Sequence, residues 1–313
     1  MAPFQAGRAV VANFLEWAFT KRGLTAGTLQ GYRSAIGAQL KLSCGYDPGK
    51  DEIISQLVAA FVRARPVQHK SSVRWDIALV LRYLKFGKLR DTRRLSARDL
   101  TLKAVFLTLL ASGKRRGEIH ALQNWLGNAH GDWSALVLKP YAGFISKTQL
   151  RTGGLSKFSE LVIPAISASP LHTEADLALC PVRTLRLYAE RADKYRSKGQ
   201  KRLFISWIPS RPTDFQPGAL SHYVRQLVQQ AYEDEAQSPE ALRELDMTAH
   251  DLRGVATSLK ALTSWSLRDL LQAGSWASPD TFLRFYVKEF THNTVSGLYE
   301  LGPFVTAGSI FGS

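Results

Sequence analysis

Through most of these 313 residues apolar side chains return every three or four positions, and only one stretch departs from that spacing. This constrains the fold more than any other feature, because a stripe repeating at 3.6 residues is buried by packing helix on helix. Val10, Val11, Phe14, Leu15 and Ala18 form one stripe, and Leu29, Tyr32, Ile36 and Leu40 form a second. Ile53, Ile54, Leu57 and Phe61 form a third, which Pro66 ends. A fourth helix is expected over residues 75–84. Between about 133 and 164 the pattern changes to strand-like runs at 135–138, 143–146 and 161–163, separated by Gly, Lys and polar residues. From Pro181 to Lys288 the helical spacing resumes, broken by an acidic loop around 233–244. The expected fold class is mainly α: a helical amino-terminal domain, then a mixed α+β domain that is helical with a small antiparallel sheet.

The length suits two domains. Residues 85–98 are rich in Lys and Arg and interrupted by Gly87, so the domains are drawn as 1–88 and 99–313 with a linker at 89–98. Ser96 and Asp99 fit a capping box for a helix that stops near Gly113. No apolar run approaches the roughly 20 residues needed to span a bilayer, so no membrane partner is expected. Residues 1–13 lack the basic and apolar regions of a secretory signal. Cys44 and Cys180 stand far apart without metal-ligand spacing, which argues against a disulfide framework or a zinc site and suits a reducing interior. Forty-one Lys and Arg against 26 Asp and Glu leave a formal charge of +15. Such an excess favours polyanions, above all nucleic acid through phosphate contacts.

Four separated segments carry residues able to act on a phosphate. In Ala111-Ser112-Gly113-Lys114-Arg115-Arg116-Gly117-Glu118 one helix ends and another starts, and Arg115 offers a planar fork for two phosphate oxygens at that start. In Thr248-Ala249-His250-Asp251-Leu252-Arg253, a second capping box sets a helix on which His250 and Arg253, three apart, share a face. Ser278, Pro279 and Asp280 mark a third helix start, with Trp276 just before it and Tyr286 on a face with Phe282 and Phe290. A hairpin over residues 142–161 presents Lys147, Arg151 and Lys157, any lysine of which could protonate a leaving oxygen. Singly, each has a plainer explanation: a basic surface turn, a structural His–Arg pair, a core aromatic stripe, solvated lysines.

Their order and spacing together resemble the tyrosine recombinase, or phage-integrase, family: Arg, a hairpin Lys, His-x-x-Arg, then Trp and Tyr. The resemblance covers nearly the whole chain, with residues 1–88 similar to the core-binding domain and those from about 97 onward to the catalytic domain. Within the family, Trp75-Asp76-Ile77, Leu100-Thr101-Leu102-Lys103, the Arg115 segment, Leu179-Cys180-Pro181-Val182-Arg183 and Trp276-x-Ser278-Pro279-x-Thr281-Phe282-x-x-Phe285-Tyr286 resemble DIRS-type retrotransposon and Crypton recombinases.

The resemblance implies that Arg115, His250 and Arg253 bind the scissile phosphate and that Tyr286 attacks it, giving a 3′-phosphotyrosyl enzyme. It implies that Lys147 is the general acid, that Trp276 donates its N–H to a phosphate oxygen, and that Glu118 supports Arg115. Lys157 stays a second candidate for the acid, Arg116 a rival to Arg115, and Ser275 an alternative register for Trp276. It further implies double-stranded DNA as partner, assembly as a dimer to tetramer on DNA, a nuclear location, and no metal or cofactor. The apolar tail beyond Val287 is expected to pack on its own domain or on a neighbouring subunit. Two other tasks fit parts of the pattern: type IB topoisomerase relaxation, and a non-catalytic DNA-binding protein derived from a transposon. RNA binding explains the charge but not the ordered constellation.

Overall fold

The computed structural model describes residues 6–66, 75–147, 149, 158–170, 172–207, 215–235, 245, 247–262, 266, 268, 298–302 and 305–308. The chain divides into two compact units, Met1–Lys70 and Ser71–Ser313.

The first unit holds three helices, α1 (Arg8–Thr20), α2 (Ala26–Cys44) and α3 (Glu52–Ala64). Their buried faces carry the expected stripes in part: Val11, Leu15 and Ala18 from α1, Leu29 and Leu40 from α2, Ile54 and Phe61 from α3. Phe19 stacks on Phe61 with ring centroids 4.3 Å apart. Val10, Tyr32 and Ile53, which the spacing also marks as apolar face, lie outward. Thr25 caps α2 by accepting the Thr28 N–H, and Gly45 ends it in the left-handed region at φ 75°. Asp51 caps α3 through the N–H groups of Ile53 and Ile54, and its other oxygen accepts from Arg8 Nε at 2.7 Å and from the Tyr46 hydroxyl at 2.9 Å.

The second unit is built on α5 (Ala97–Ser112), whose residues from Leu100 to Ser112 are all buried. A helix apolar all round must be covered on every side. Here α7 (Pro181–Asp193), α8 (Pro217–Asp234) and α9 (Ala249–Leu262) pack against it. The short helix α6 (Arg116–His120) follows α5 and packs on α8. Strands β1 (Leu122–Asn128), β2 (Ala135–Pro140) and β3 (Leu161–Pro164) form an antiparallel sheet in that order. Leu136 stands opposite Ile163, and Leu138 stands between Leu126 and Leu161. A register shift interrupts the β1–β2 ladder between Leu122 and Leu126. A final hairpin, β4 (Leu298–Gly302) with β5 (Val305–Gly308), lies beside α9, α5 and β3 of its own unit.

One expectation needs correction. Residues 143–146 form a turn and irregular backbone instead of a strand, and the first strand is the unanticipated β1. Contacts group α4 (Ile77–Phe86) and the stretch at 89–98 with the second unit. The physical reason is where this segment finds its partners. The Asp76 N–H donates to the Tyr232 hydroxyl, Arg82 pairs with Glu235 at 2.7 Å, and Lys85 pairs with Asp176 at 2.8 Å. Leu89 and Leu95 are buried in the second core, and Arg191 donates to the carbonyls of Arg93 and Leu95. Lys88, Arg90, Arg93, Arg94 and Arg98 are thus the solvated side of a segment whose apolar side, with the buried Lys85, belongs to the second unit.

Candidate active site

Helix α5 stops because Gly113 adopts the left-handed conformation, φ 56°, and its N–H turns back to the Leu109 carbonyl at 3.0 Å. This is the αL termination that glycine allows without strain. Lys114 follows, with its N–H on the Ser112 hydroxyl at 3.3 Å. Arg115, extended at φ −69° and ψ 149°, then precedes α6. Three residues on, the Glu118 carboxylate turns back: one oxygen accepts the Arg115 backbone N–H at 2.7 Å, the other Arg115 Nη1 at 3.2 Å.

A second arm arrives from α9. Thr248 and Asp251 form the expected reciprocal cap, in which Asp251 Oδ2 accepts from the Thr248 N–H at 2.9 Å and hydroxyl at 2.7 Å. The Asp251 and His250 N–H groups both donate to Thr248 Oγ1. This fixes the first turn and aims residue 253 inward. The Arg253 side chain is 1% exposed, and its Nη1 lies 3.9 Å from Glu118 Oε2. A buried guanidinium needs a counter-charge close by, and the 3%-exposed Glu118 side chain supplies one. The structure therefore brings together Arg115, Glu118 and Arg253, three residues named from sequence, across a separation that no local pattern spans.

The other candidates fall differently. His250 is exposed on the first turn of the helix that carries Arg253. Lys147 is exposed in the connection between β2 and β3, just after the buried Ser146, whose hydroxyl accepts the Gln149 N–H at 3.2 Å. Among the described residues no hydrogen bond or ion pair joins Lys147 to the cluster. Arg116 is exposed, and its Nη1 reaches the Ser221 hydroxyl at 3.4 Å on α8, away from Glu118. Trp276, Tyr286, Ser275, Arg151 and Lys157 lie outside the described residues.

One member of the cluster escaped the sequence reading. Lys114 is only 9% exposed, and its Nζ stands over the Phe158 ring, 5.3 Å from the centroid. Burial pushes the Lys114 ammonium below its ordinary value; the neighbouring Glu118 opposes this, and Arg253 and Arg115 add to it. The signal that could have found it is its position, between the glycine that ends a fully apolar helix and the arginine that opens the next. Among the described residues no group of three or more His, Cys, Asp or Glu side chains could hold a metal ion. No described helix is long and apolar enough to cross a membrane.

No protein-family model matches this chain, and no curated protein sequence does. Solved structures do. The chain is similar to the Tn1549 transposon integrase in complex with transposon right end DNA, at 14% identity and a TM-score of 0.53, covering 94% of this chain and 84% of that one. It is also similar to XerA recombinase at 16% identity and a TM-score of 0.44, covering 92% and 89%. The mainly helical architecture with a small three-stranded antiparallel sheet matches tyrosine recombinase structures.

Proposed function

We propose that this protein is a site-specific DNA recombinase of a mobile element, cutting and rejoining strands through a covalent bond between Tyr286 and a DNA phosphate. One observation carries the reading: two arginines from distant segments, Arg115 and Arg253, converge on the buried Glu118 in a chain with this fold. Two guanidinium groups held at one point suit a phosphodiester, whose non-bridging oxygens gain negative charge as a fifth ligand approaches phosphorus.

In this mechanism the Tyr286 oxygen attacks phosphorus and the bond to the 5′ oxygen breaks. Lys147, or Lys157 in the same connection, gives its proton to that leaving oxygen. The products are a 3′-phosphotyrosyl enzyme and a free 5′-hydroxyl, and the 5′-hydroxyl of another strand reverses the step. His250, beside the phosphate, accepts the proton that the Tyr286 hydroxyl gives up, and the Trp276 indole N–H donates to a phosphate oxygen. A tyrosine hydroxyl titrates near pH 10 and is a weak nucleophile until cations lower that value, which is the work of the arginines. The phosphotyrosyl bond conserves the energy of the broken ester, so the cycle needs no nucleotide cofactor.

The finer reading, a DIRS-type or Crypton recombinase acting in the nucleus as a tetramer on two duplexes, rests on the motif residues around Trp75, Leu100, Arg115, Leu179 and Trp276. The Tn1549 integrase structure contains transposon end DNA. By analogy, the terminal repeats of the source element are the substrate to try first.

The test is covalent trapping on a nicked or phosphorothiolate suicide duplex, comparing wild type with Tyr286→Phe. A denaturation-resistant adduct from wild type alone is the expected result. An adduct that survives Tyr286→Phe means another nucleophile, and tight binding with no adduct favours the non-catalytic reading. Relaxation of supercoils without sequence preference or strand exchange points to a topoisomerase.

A further inference from the structure

Arg115 and Arg253 lie 3.2 and 3.9 Å from the single carboxylate of Glu118, and the buried Lys114, next to Arg115 in the chain, feels the charges of all three. Within this buried cluster Arg115 and Arg253 leave one positive charge beyond Glu118, as a ground-state phosphodiester needs, and a protonated Lys114 makes it two; the exposed Lys147 and His250 are counted apart from it. Two is the charge of the pentavalent arrangement, in which a phosphodiester monoanion has taken on an attacking oxyanion. A cation that is surplus to the ground state but matched to the transition state stabilises the second more than the first.

The surroundings of Lys114 suit that use. Its backbone is pinned between the Gly113 termination and Arg115, with its N–H on Ser112 Oγ. Its ammonium lies over the face of Phe158, at the end of the connection that carries Lys147 back into β3. An aromatic face attracts a cation without neutralising it. A buried lysine set there holds its charge against desolvation, and Lys114 feels that cost. A bound dianion would relieve it.

We infer that Lys114 is a third cation of the phosphate site, setting the net charge of its buried cluster to suit a doubly negative phosphate rather than a singly negative one. The inference rests on the recombinase reading for its reaction, but the preference for a dianion is a property of the site itself and can be measured without cleavage.

Two measurements are made on wild type, Lys114→Met and Lys114→Arg. The first is binding of inorganic sulfate, a dianion that does not titrate near neutral pH. The second is single-turnover cleavage of the suicide duplex, with duplex affinity measured in parallel. Loss of one preorganised charge-stabilising donor typically slows chemistry by about 100- to 1,000-fold. Lys114→Met is accordingly expected to cleave at least about tenfold more slowly, to hold duplex with near-wild-type affinity, and to bind sulfate at least about tenfold more weakly. Lys114→Arg, which restores charge but not shape, recovers much of both.

Wild-type cleavage rate and sulfate affinity in Lys114→Met overturn the inference and leave the recombinase reading intact. Weakened sulfate binding in a protein that cleaves no duplex does the reverse. If Lys114→Met fails to fold, proton uptake on binding sulfate, followed from about pH 8 to 11 in Tyr286→Phe with and without Lys114→Arg, decides the matter. More uptake with Lys114 present is expected because a dianion raises the affinity of Lys114 for its proton, with Glu118, Arg115 and Arg253 as its charged neighbours, whereas an arginine stays protonated throughout. Equal uptake in the two proteins overturns the inference.

Discussion

Single buried charges set the constraints in the second unit. Glu118 is 2% exposed and holds the Arg115 backbone N–H, the Arg115 guanidinium and the approach of Arg253. Removing it strands a buried cation, which typically costs about 3–5 kcal/mol. Glu118→Ala is therefore expected to lower the urea midpoint by that equivalent, and Glu118→Gln, which keeps an acceptor, by clearly less. Equal stability of Glu118→Ala and wild type would show that the carboxylate is not the counter-charge of Arg253. Lys103 poses the same problem in the middle of α5. It is fully buried, and its ammonium donates to the Leu89 carbonyl at 2.6 Å, the Thr92 hydroxyl at 3.0 Å and the Arg90 carbonyl at 3.3 Å. Burial outweighs these acceptors and the nearby Asp91, while Arg183 adds to it, and the pKa falls from 10.5 to about 7. The folded state then binds fewer protons than the unfolded one between these two values. Stability consequently rises with pH across that window, by up to about 1.4 kcal/mol per pH unit from this group. Chemical denaturation at pH 7 and pH 9 should show the rise in wild type and a flatter response in Lys103→Met.

At the scale of elements, α4 is tied down by its ends as much as by its face. Lys85, at its last turn, meets Asp176 in the 3-10 turn Glu174–Leu179, with side chains 8% and 2% exposed. Burial alone would raise the Asp176 pKa. Lys85, together with the hydroxyl and N–H of Thr173, outweighs burial and holds it below the ordinary carboxylate range. The pair contributes stability above the unfolded value of 3.8, and that contribution disappears as the pH falls through the lower folded value. Lys85→Met leaves a buried carboxylate unpaired, and a loss of about 3–5 kcal/mol is expected. Lys85→Met combined with Asp176→Leu should recover part of it, short of full because Thr173 loses its cap. A double variant no more stable than Lys85→Met would mean that Asp176 acts mainly as the cap. The sheet shows a related economy: Leu136, Leu138, Leu161 and Ile163 face the core, while Trp125 lies outward with Lys139 over its ring at 4.9 Å.

For the whole molecule, the two separate cores predict where it can be divided. The apolar residues of the first core end at Phe61 and those of the second begin at Trp75. A fragment of residues 71–313 keeps its core intact, and a cooperative thermal transition is expected. A fragment of residues 89–313, cut at the boundary that composition suggests, loses Ile77, Leu79, Val80, Leu81, Tyr83 and Leu84 from that core. At about 1.5–3 kcal/mol for each large side chain, the loss rivals the entire stability of an ordinary domain. Circular dichroism of the two fragments decides; a well-folded 89–313 would show that α4 is dispensable. The charge of +15 carries a separate expectation. Duplex affinity should fall steeply between 50 and 200 mM salt, by about 1,000-fold or more if six or more phosphates are contacted. An affinity indifferent to salt would argue against phosphate contacts as the source of binding.

What local sequence determined here are the features that depend on near neighbours. The caps at Ser96 and Thr248, the stop at Gly113 and the helical spacing of the stripes are settled within one or two turns of chain, and the structure has them. The Arg115, Glu118 and Arg253 candidates were legible for the same reason, since each sits at such a punctuation point. The tertiary structure alone decided which partner each apolar face meets. A stripe says that a helix is buried on one side, not against what, so α4 reads as well with the first unit as with the second. β1 escaped because Leu122-Gln123-Asn124-Trp125-Leu126-Gly127-Asn128 does not alternate cleanly, and its register shift is resolved only by pairing with β2. The buried lysines 85, 103 and 114 escaped because lysine reads as surface wherever it stands. Only distant carbonyls, carboxylates and an aromatic face, brought close by folding, make the interior tolerable for their charge.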